Sequence, residues 1–556
     1  MKEDIKKLLN KAVLQAKKAQ GWPDFATSFA KATKVKKATT GKPNFEMPEI
    51  AVDYVKNEQF GDYSSNIAMI LAKKIGKNPM EIAKAVLSVL NDQIVKSEKF
   101  EKVEFAAPGY INFYLSKKYL QNKISEINKE KKKFGNSKIG KNIKVNNEFI
   151  SANPTGPLHL GNGRGGFYGD VLSKVLRKAG FEVTNEFYVN DGGGQIEKLG
   201  HSVLKDEEAV YSGEYIDKLN QKYGQLPVAE AGQKAVADVL KNIIQKTVKE
   251  KMLIDFDSWI SEQKDIADKG YPEKAIAIFQ DKKLVCENEG ALWFKSTEFG
   301  DDKDRVLIKS DGTKTYFAID CGYILHKIER DFADIIMNLG ADHFGYLKRF
   351  EAAAKALGFA GKIEFIVCQL VRLVKDGQEV RMSKRAGNVV YVDDLIEEVG
   401  TDAARFFFLM YSPNTHMNFD LGLAKERSQK NPVFYAQYAH ARICSILNKS
   451  QTSKRQNVQT LPDLSLLIHE KELSLIKELN KFPELIEEIS ESYEVHKLPH
   501  YAIKLADKFH SFYDECRVID EANPELTKAR LLLVNAVRIV LAETLNLIGV
   551  SAPESM

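Results

Sequence analysis

EFISANPTGPLHLGNGRGG, Glu148 to Gly166, is the stretch that decides how the chain is read. The residues that lead into it, KVNNEFI (Lys144 to Ile150), read as a buried strand that stops at Ser151. A loop rich in Pro and Gly follows. From Arg164 the apolar residues Phe167, Val171, Leu172, Val175 and Leu176 recur at helical spacing, and Gly180 closes that helix. Phe181 to Val189 returns to strand character, with Asn190 and Asp191 just past its end. This is a β-loop-α-β unit. Its polar loop sits at the carboxyl end of a parallel strand and the amino end of a helix, where unpaired N–H groups and the helix dipole favour anions.

Three chemistries compete for that loop. Gly161, Gly163 and Gly166 fit the dinucleotide fingerprint G-x-G-x-x-G, yet about ten residues separate them from the strand they should follow directly. No G-x-x-x-x-G-K-[ST] occurs in the chain, which removes the P-loop reading. The run His159-Leu160-Gly161-Asn162, preceded by Pro157, resembles the HIGH signature of class I aminoacyl-tRNA synthetases. A second signature, a domain's length downstream, decides between them. Arg381-Met382-Ser383-Lys384-Arg385 resembles the KMSKS loop of the same class, and it follows a hairpin with an Asp376-Gly377 turn.

The rest of the chain suits such an enzyme. Its 556 residues leave room for several domains, with 44% hydrophobic and 28% charged residues and a mild net charge of +5. The five cysteines are scattered without a C-x-x-C pair, which argues against a zinc site or disulfide framework and suits a reducing, cytoplasmic compartment. Met1 to Ala16 alternates Lys with apolar residues like an amphipathic helix and lacks the apolar core of a secretory signal. The apolar run Arg530 to Val550 is interrupted by Arg538 and Glu543 and reads as a core helix, so no membrane partner is expected.

More specific motifs narrow the class. GDYSSN (Gly61 to Asn66), with Lys77-Asn78-Pro79 after it, and APGYINFYL (Ala107 to Leu115) resemble the amino-terminal extension of arginyl-tRNA synthetases. YVNDGGGQI (Tyr188 to Ile196), YFAIDCGY (Tyr316 to Tyr323), GADH (Gly340 to His343) and NPVFYAQYAHAR (Asn431 to Arg442) resemble that family too. The resemblance implies a multidomain α/β protein: an α+β domain at 1–118 that touches the tRNA elbow, a Rossmann-like parallel-sheet catalytic domain at 119–418 with a connective insertion at about 200–290, and an all-α anticodon-binding bundle at 419–556. It implies ATP-dependent attachment of L-arginine to tRNA(Arg) through an arginyl-adenylate. Mg2+ would be held mainly by the ATP phosphates, with no protein metal cage and no DNA, and a monomer is expected. The 118–144 stretch reads as a basic linker, and Trp22 to Met47 as a basic solvated excursion.

By the same resemblance His159 and Lys384 are the catalytic groups. ATP would lie against Pro157, His159, Gly161, Asn162 and Gly163 on one side, and Met382, Ser383 and Lys384 on the other. Arginine would meet Glu148, Ser151, Asn153 and His159, then Asn190 and Asp191, and from the second half Tyr316, Asp320 and His343. Asn66, Tyr435, Tyr438, Arg442 and Met556 would face tRNA. Asn162, Gly194, Ile319, Arg381 and Arg385 depart from the family pattern. A guanidinium is planar, always charged and carries five donors in a fixed fork, so its pocket needs fixed acceptors. Glu148 and Asp320 are the expected carboxylates, and two of them buried without ligand would leave at least one with a raised pKa. A synthetase of another specificity, or a non-catalytic tRNA-binding relative, would share fewer of these features.

Overall fold

The computed structural model describes residues 1–22, 47–94, 97–380, 390–452 and 462–556, and of these the side chains of 92, 93, 342–344, 451 and 452 lie outside the description. Two compact units result, each assembled from separate stretches of chain.

The first unit comprises 1–134, 449–484 and 508–539. Asp53–Tyr54, Tyr63–Ser65, Tyr110–Leu115 and Phe100–Ala106 form an antiparallel sheet in that order. The Lys2–Gln20 helix buries Ile5, Leu9 and Val13 on one stripe, as its alternation of Lys with apolar residues requires. The basic 118–144 stretch is more than a linker. Its Lys117–Glu130 helix buries Leu120, Gln121, Ile124 and Ile127, and the Gln121 amide donates to the carbonyl of Leu467 at 3.1 Å. Its Lys and Glu residues lie mostly on the other stripe, which is why charge alone suggested a solvated connector.

The second unit comprises 135–448, 485–507 and 540–556. Its centre is a five-stranded sheet, all pairs parallel, in the order Lys362–Cys368, Asp334–Gly340, Lys144–Glu148, Glu182–Val189, Ser258–Ser261. The strand order turns outward on both sides of Lys144–Glu148, so the crevice between that strand and Asp334–Gly340 lies at a topological switch point. Two boundaries differ from the sequence expectation. The helix starts at Leu160, not Arg164, because Gly161 and Gly163 lie within its first turn. Residues 200–290 do more than interrupt the fold: Ser258–Ser261, too short and polar to stand out, completes the sheet edge. The strands Ala291–Phe294 and Arg305–Ile308 form a separate small antiparallel sheet with Val285–Asn288, and the main sheet resumes only at Asp334.

Among the described residues one helix, Pro524–Ile548, is long and apolar enough to cross a membrane. Leu533, Val537, Leu541 and Leu545 are fully buried within it, as a core helix of the bundle requires.

Candidate active site

Glu148 ends its strand 3% exposed, and the chain then turns sharply: Ile150 and Ser151 take φ of 69° and 42°. Two adjacent side chains in the left-handed region store strain, a feature that concentrates at functional sites. The kink lets the Ser151 hydroxyl donate to Glu148 Oε1 at 3.0 Å while accepting from the Tyr188 N–H at 3.1 Å, which ties the two strand ends together. Asn153 follows on the exposed loop.

His159 caps the Leu160–Lys178 helix and is exposed; its own N–H donates to the Asn162 side chain at 3.1 Å. Asn162 thus holds the helix start in the place where the signature has its second His. Gly161 allows the His159 ring to lie back, since a Cβ there would be 3.2 Å from the imidazole. Gly163 is needed for a different approach. A Cβ would meet Val392 at 2.8 Å, and its N–H is already used by the His159 carbonyl. Pro157 is half-buried just ahead.

The two signatures meet through the backbone. The Leu160 N–H donates to the Val390 carbonyl at 3.2 Å, the Val392 N–H donates to the Leu158 carbonyl at 2.9 Å, and His159 bridges Tyr391. The segment just after the second motif is therefore sewn to the loop of the first. Met382, Ser383 and Lys384, with Arg381 and Arg385, lie outside the described residues, as do residues 23–46 of the Trp22 to Met47 excursion. The hairpin before them is present, Val371–Lys375 against Gln378–Glu379.

From the second half, Thr315 caps the Tyr316–Glu329 helix, accepting from the Ala318 N–H at 3.3 Å. Tyr316 is exposed, its hydroxyl near Gly193, while Asp320 one turn on is half-buried. Burial pushes the Asp320 carboxyl up to about 7; Arg349 opposes this, and Glu262 and Glu148 add to it. Ile319 packs against Ile260, Ile266 and Tyr323, an apolar use of that departure from the family pattern. Gly194 opens a helix with open space about it. His343 lies in the 3-10 turn Ala341–Tyr346, its side chain outside the description.

Sequence reading missed a third carboxylate. Glu262 follows the edge strand, is buried, and accepts from the Tyr188 hydroxyl at 2.9 Å; burial and the nearby Asp191 raise its pKa. Asp191 uses both oxygens on the Ser261 hydroxyl, at 2.9 and 2.7 Å, and accepts the Gln263 N–H at 3.1 Å, so it braces the segment that carries Glu262. Asn190 is half-buried beside it. Nothing in the polar sequence SEQKD signals Glu262; only the strand pairing of Ser258–Ser261 brings it to the pocket. Among the described residues no group of three or more His, Cys, Asp or Glu is arranged to hold a metal ion.

Away from the pocket, Asn66 is the half-buried N-cap of the Ile67–Ile75 helix. Tyr435, Tyr438 and Arg442 are half-buried along one side of the Pro432–Thr452 helix, with Arg442 5.8 Å from the Tyr438 ring. The core face of that helix is Val433, Ala436, Ala439 and Ile443. Met556 is exposed.

Three family models match: "Arginyl tRNA synthetase N terminal domain" over residues 3–115, "tRNA synthetases class I (R), catalytic domain" over 205–410, and "DALR anticodon binding domain" over 436–556. The arginine–tRNA ligase of Bacillus subtilis is 43% identical over 533 residues, covering 92% of this chain and 95% of its own. That of Caldanaerobacter subterraneus is 41% identical, covering 100% of this chain and 99% of its own. Among solved structures, the Thermus thermophilus arginyl-tRNA synthetase superposes with a TM-score of 0.75 at 22% identity, covering 99% of this chain and 100% of that one. The Plasmodium falciparum enzyme gives 0.76 at 18%, covering 100% and 99%.

Proposed function

The chain belongs to the bacterial-type arginyl-tRNA synthetases, and from that premise we propose how its own residues carry the family reaction. The enzyme joins the carboxylate of L-arginine to the α-phosphate of ATP with release of pyrophosphate, then passes the arginyl group to tRNA(Arg) with release of AMP. Catalysis here is mainly positioning and stabilisation of phosphate charge. His159, exposed at a helix start, donates to the phosphates. Lys384 meets the β- and γ-phosphates from the other side, joined to His159 through the 390–392 segment. Mg2+ supplies charge neutralisation when bound to the ATP phosphates, and the described residues offer it no cage of their own.

The guanidinium lies among Glu148, Asp320 and Glu262, with Tyr316 along the aliphatic stem. Ser151, Asn153, Asn190 and His343 surround the ligand's other end, and Asp191 holds the Glu262 segment. The observation that carries this reading is the grouping of three carboxylates about the stacked rings of Tyr188 and Tyr323, 4.1 Å apart, at the carboxyl edge of the sheet. Fixed acceptors in excess of fixed cations suit one bound cation with many donors. The 1–118 domain, through Asn66, faces the tRNA elbow; the 419–556 bundle, through Tyr435, Tyr438, Arg442 and Met556, faces the anticodon. The enzyme acts as a cytoplasmic monomer. Calorimetric titration of the enzyme–tRNA complex tests the pocket: arginine should bind, while lysine and citrulline bind at least about 100-fold more weakly. Comparable affinities for arginine and citrulline would contradict it.

A further inference from the structure

Glu148 and Glu186 are register partners on adjacent parallel strands, and both are buried, at 3% and 0% exposure. Neighbouring strands run about 4.8 Å apart, so two carboxylates there face each other in a site with little water. Like charges so placed ordinarily share a proton. The reaction gives Glu186 no task. A single helix resolves the conflict: Tyr323 and Lys327, one turn apart, both reach the pair. Lys327 Nζ stands 2.6 Å from Glu186 Oε1 and 3.0 Å from Glu148 Oε2, and donates to Asn146 Oδ1 at 2.5 Å. The Tyr323 hydroxyl lies 2.7 Å from Glu186 Oε1 and 2.9 Å from Glu148 Oε2. Arg330 closes the far side at 2.5 Å from Glu186 Oε2, where the Ser258 hydroxyl also donates at 3.0 Å.

We infer that Lys327 is a positioning residue for arginine recognition: bridging Glu148 and Glu186, it holds the Glu148 carboxylate in place before the substrate cation arrives. The inference rests on Glu148 facing the arginine side chain. Lys327 is itself 1% exposed and stands 4.3 Å over the Tyr323 ring, so it is a built-in counter-ion and not a surface charge. Burial alone would push Glu186 up, but Lys327 and Arg330 hold it well below the usual carboxylate range. The other titratable groups about the pair are His326 on the same helix, Tyr188 on the Glu186 strand, and Asp320 and Glu262 across the pocket. Among the described residues no Lys bridges Asp320 or Glu262 in this way, and both have raised pKa values, with Arg349 opposing the rise at Asp320. Glu186 would thus act as the anchor for Lys327, with the ammonium shared between an internal carboxylate and a substrate-facing one.

The test is arginine activation with ATP and tRNA(Arg) from pH 6 to 9 for the parent, Glu148→Gln, Lys327→Met and the double variant Glu186→Gln/Lys327→Met. Without Lys327 the two carboxylates share a proton. The Lys327→Met variant should therefore raise the arginine KM about 10- to 100-fold at pH 7, with recovery toward pH 9 and a smaller change in kcat. Removing the second carboxylate should restore the KM of the double variant to within about fivefold of the parent, which a purely structural role of Lys327 would not allow. A KM for Lys327→Met that does not vary with pH, or a double variant as impaired as the single one, overturns the inference. If Lys327→Met does not fold, Tyr323→Phe removes the single hydroxyl donor that the two carboxylates share; its arginine KM should rise and fall back with pH in the same sense, and a flat profile overturns the inference. An unchanged KM in Glu148→Gln removes the pocket reading and this inference together, whereas an impaired Glu148→Gln beside an unaffected Lys327→Met removes this inference alone.

Discussion

Asp320 holds a carboxyl that burial drives up to about 7, against an ordinary value of 3.8. In the unfolded chain the group ionises near its ordinary value; in the folded, ligand-free protein it keeps its proton until about 7. Its contribution to stability is therefore full below the lower value and is lost as pH climbs through the upper one. Asp320→Asn should raise the Tm of the ligand-free protein at pH 8, and the gap should close toward pH 4; equal gaps at both would contradict the assignment. The same proton must leave when a guanidinium binds. Arginine affinity should fall as pH drops from 8 to 6, with proton release detectable by calorimetry in buffers of different ionisation enthalpy. His159 and Lys384 belong to this scale as well. Replacing either by Ala should slow activation by roughly 10²–10³, the scale of one preorganised donor, with arginine binding nearly intact. Single-turnover rates within about threefold of the parent, well under 1 kcal/mol, would remove them from the transition state.

Between elements, the critical seam is the backbone pairing of 158–160 with 390–392. Gly163 makes it possible, because Val392 is fully buried 2.8 Å from where a Cβ would stand. Gly163→Ala should cost about 1–3 kcal/mol of overpacking and slow activation; Val392→Ala in the same chain should recover most of the rate. A double variant no faster than Gly163→Ala would show that the seam does not govern the site. Much of this level was legible in the sequence. The strand, loop, helix and strand from Lys144 to Val189 and the hairpin before Arg381 follow from local periodicity and turn residues. Glu262 and the Lys327–Glu186 pair were not legible. Each depends on register between strands far apart in the chain, and a buried Lys in a helix has the same spacing as a solvated one. The strand Lys144–Glu148 is itself instructive: Asn147 is buried and donates to the Gly169 carbonyl and the Ser173 hydroxyl, so polar residues can line a central strand when each finds a partner.

At the scale of the molecule, the second unit is tied together by Arg405. From the Thr401–Leu409 helix it donates to the carbonyls of Met252 at 2.6 Å and Ile548 at 3.1 Å, and it pairs with Asp170 on the His159 helix. Arg405 is completely buried, so Arg405→Leu should leave Asp170 with Lys174, at 2.9 Å, as its remaining cation and strip a donor from the Met252 and Ile548 carbonyls, at a cost of about 3–5 kcal/mol in urea unfolding; a loss under about 1 kcal/mol would contradict that role. Nearby, Asp402 accepts the Ser551 N–H at 3.1 Å, and the Gln437 amide donates to Asp402 at 2.8 Å, so the helix of Tyr435 and Tyr438 and the chain's last residues share a support with the catalytic sheet's helices. On the proposed reading, carboxylates gathered at the carboxyl edge of the sheet recognise the guanidinium. Amino-acid-dependent pyrophosphate exchange with tRNA(Arg), run over arginine, lysine and citrulline for the parent, Glu148→Gln and Asp320→Asn, tests it most directly. The parent should prefer arginine by roughly 10⁴ or more, and each variant should lose most of that preference; an unchanged ratio of arginine to citrulline in both variants would contradict the account.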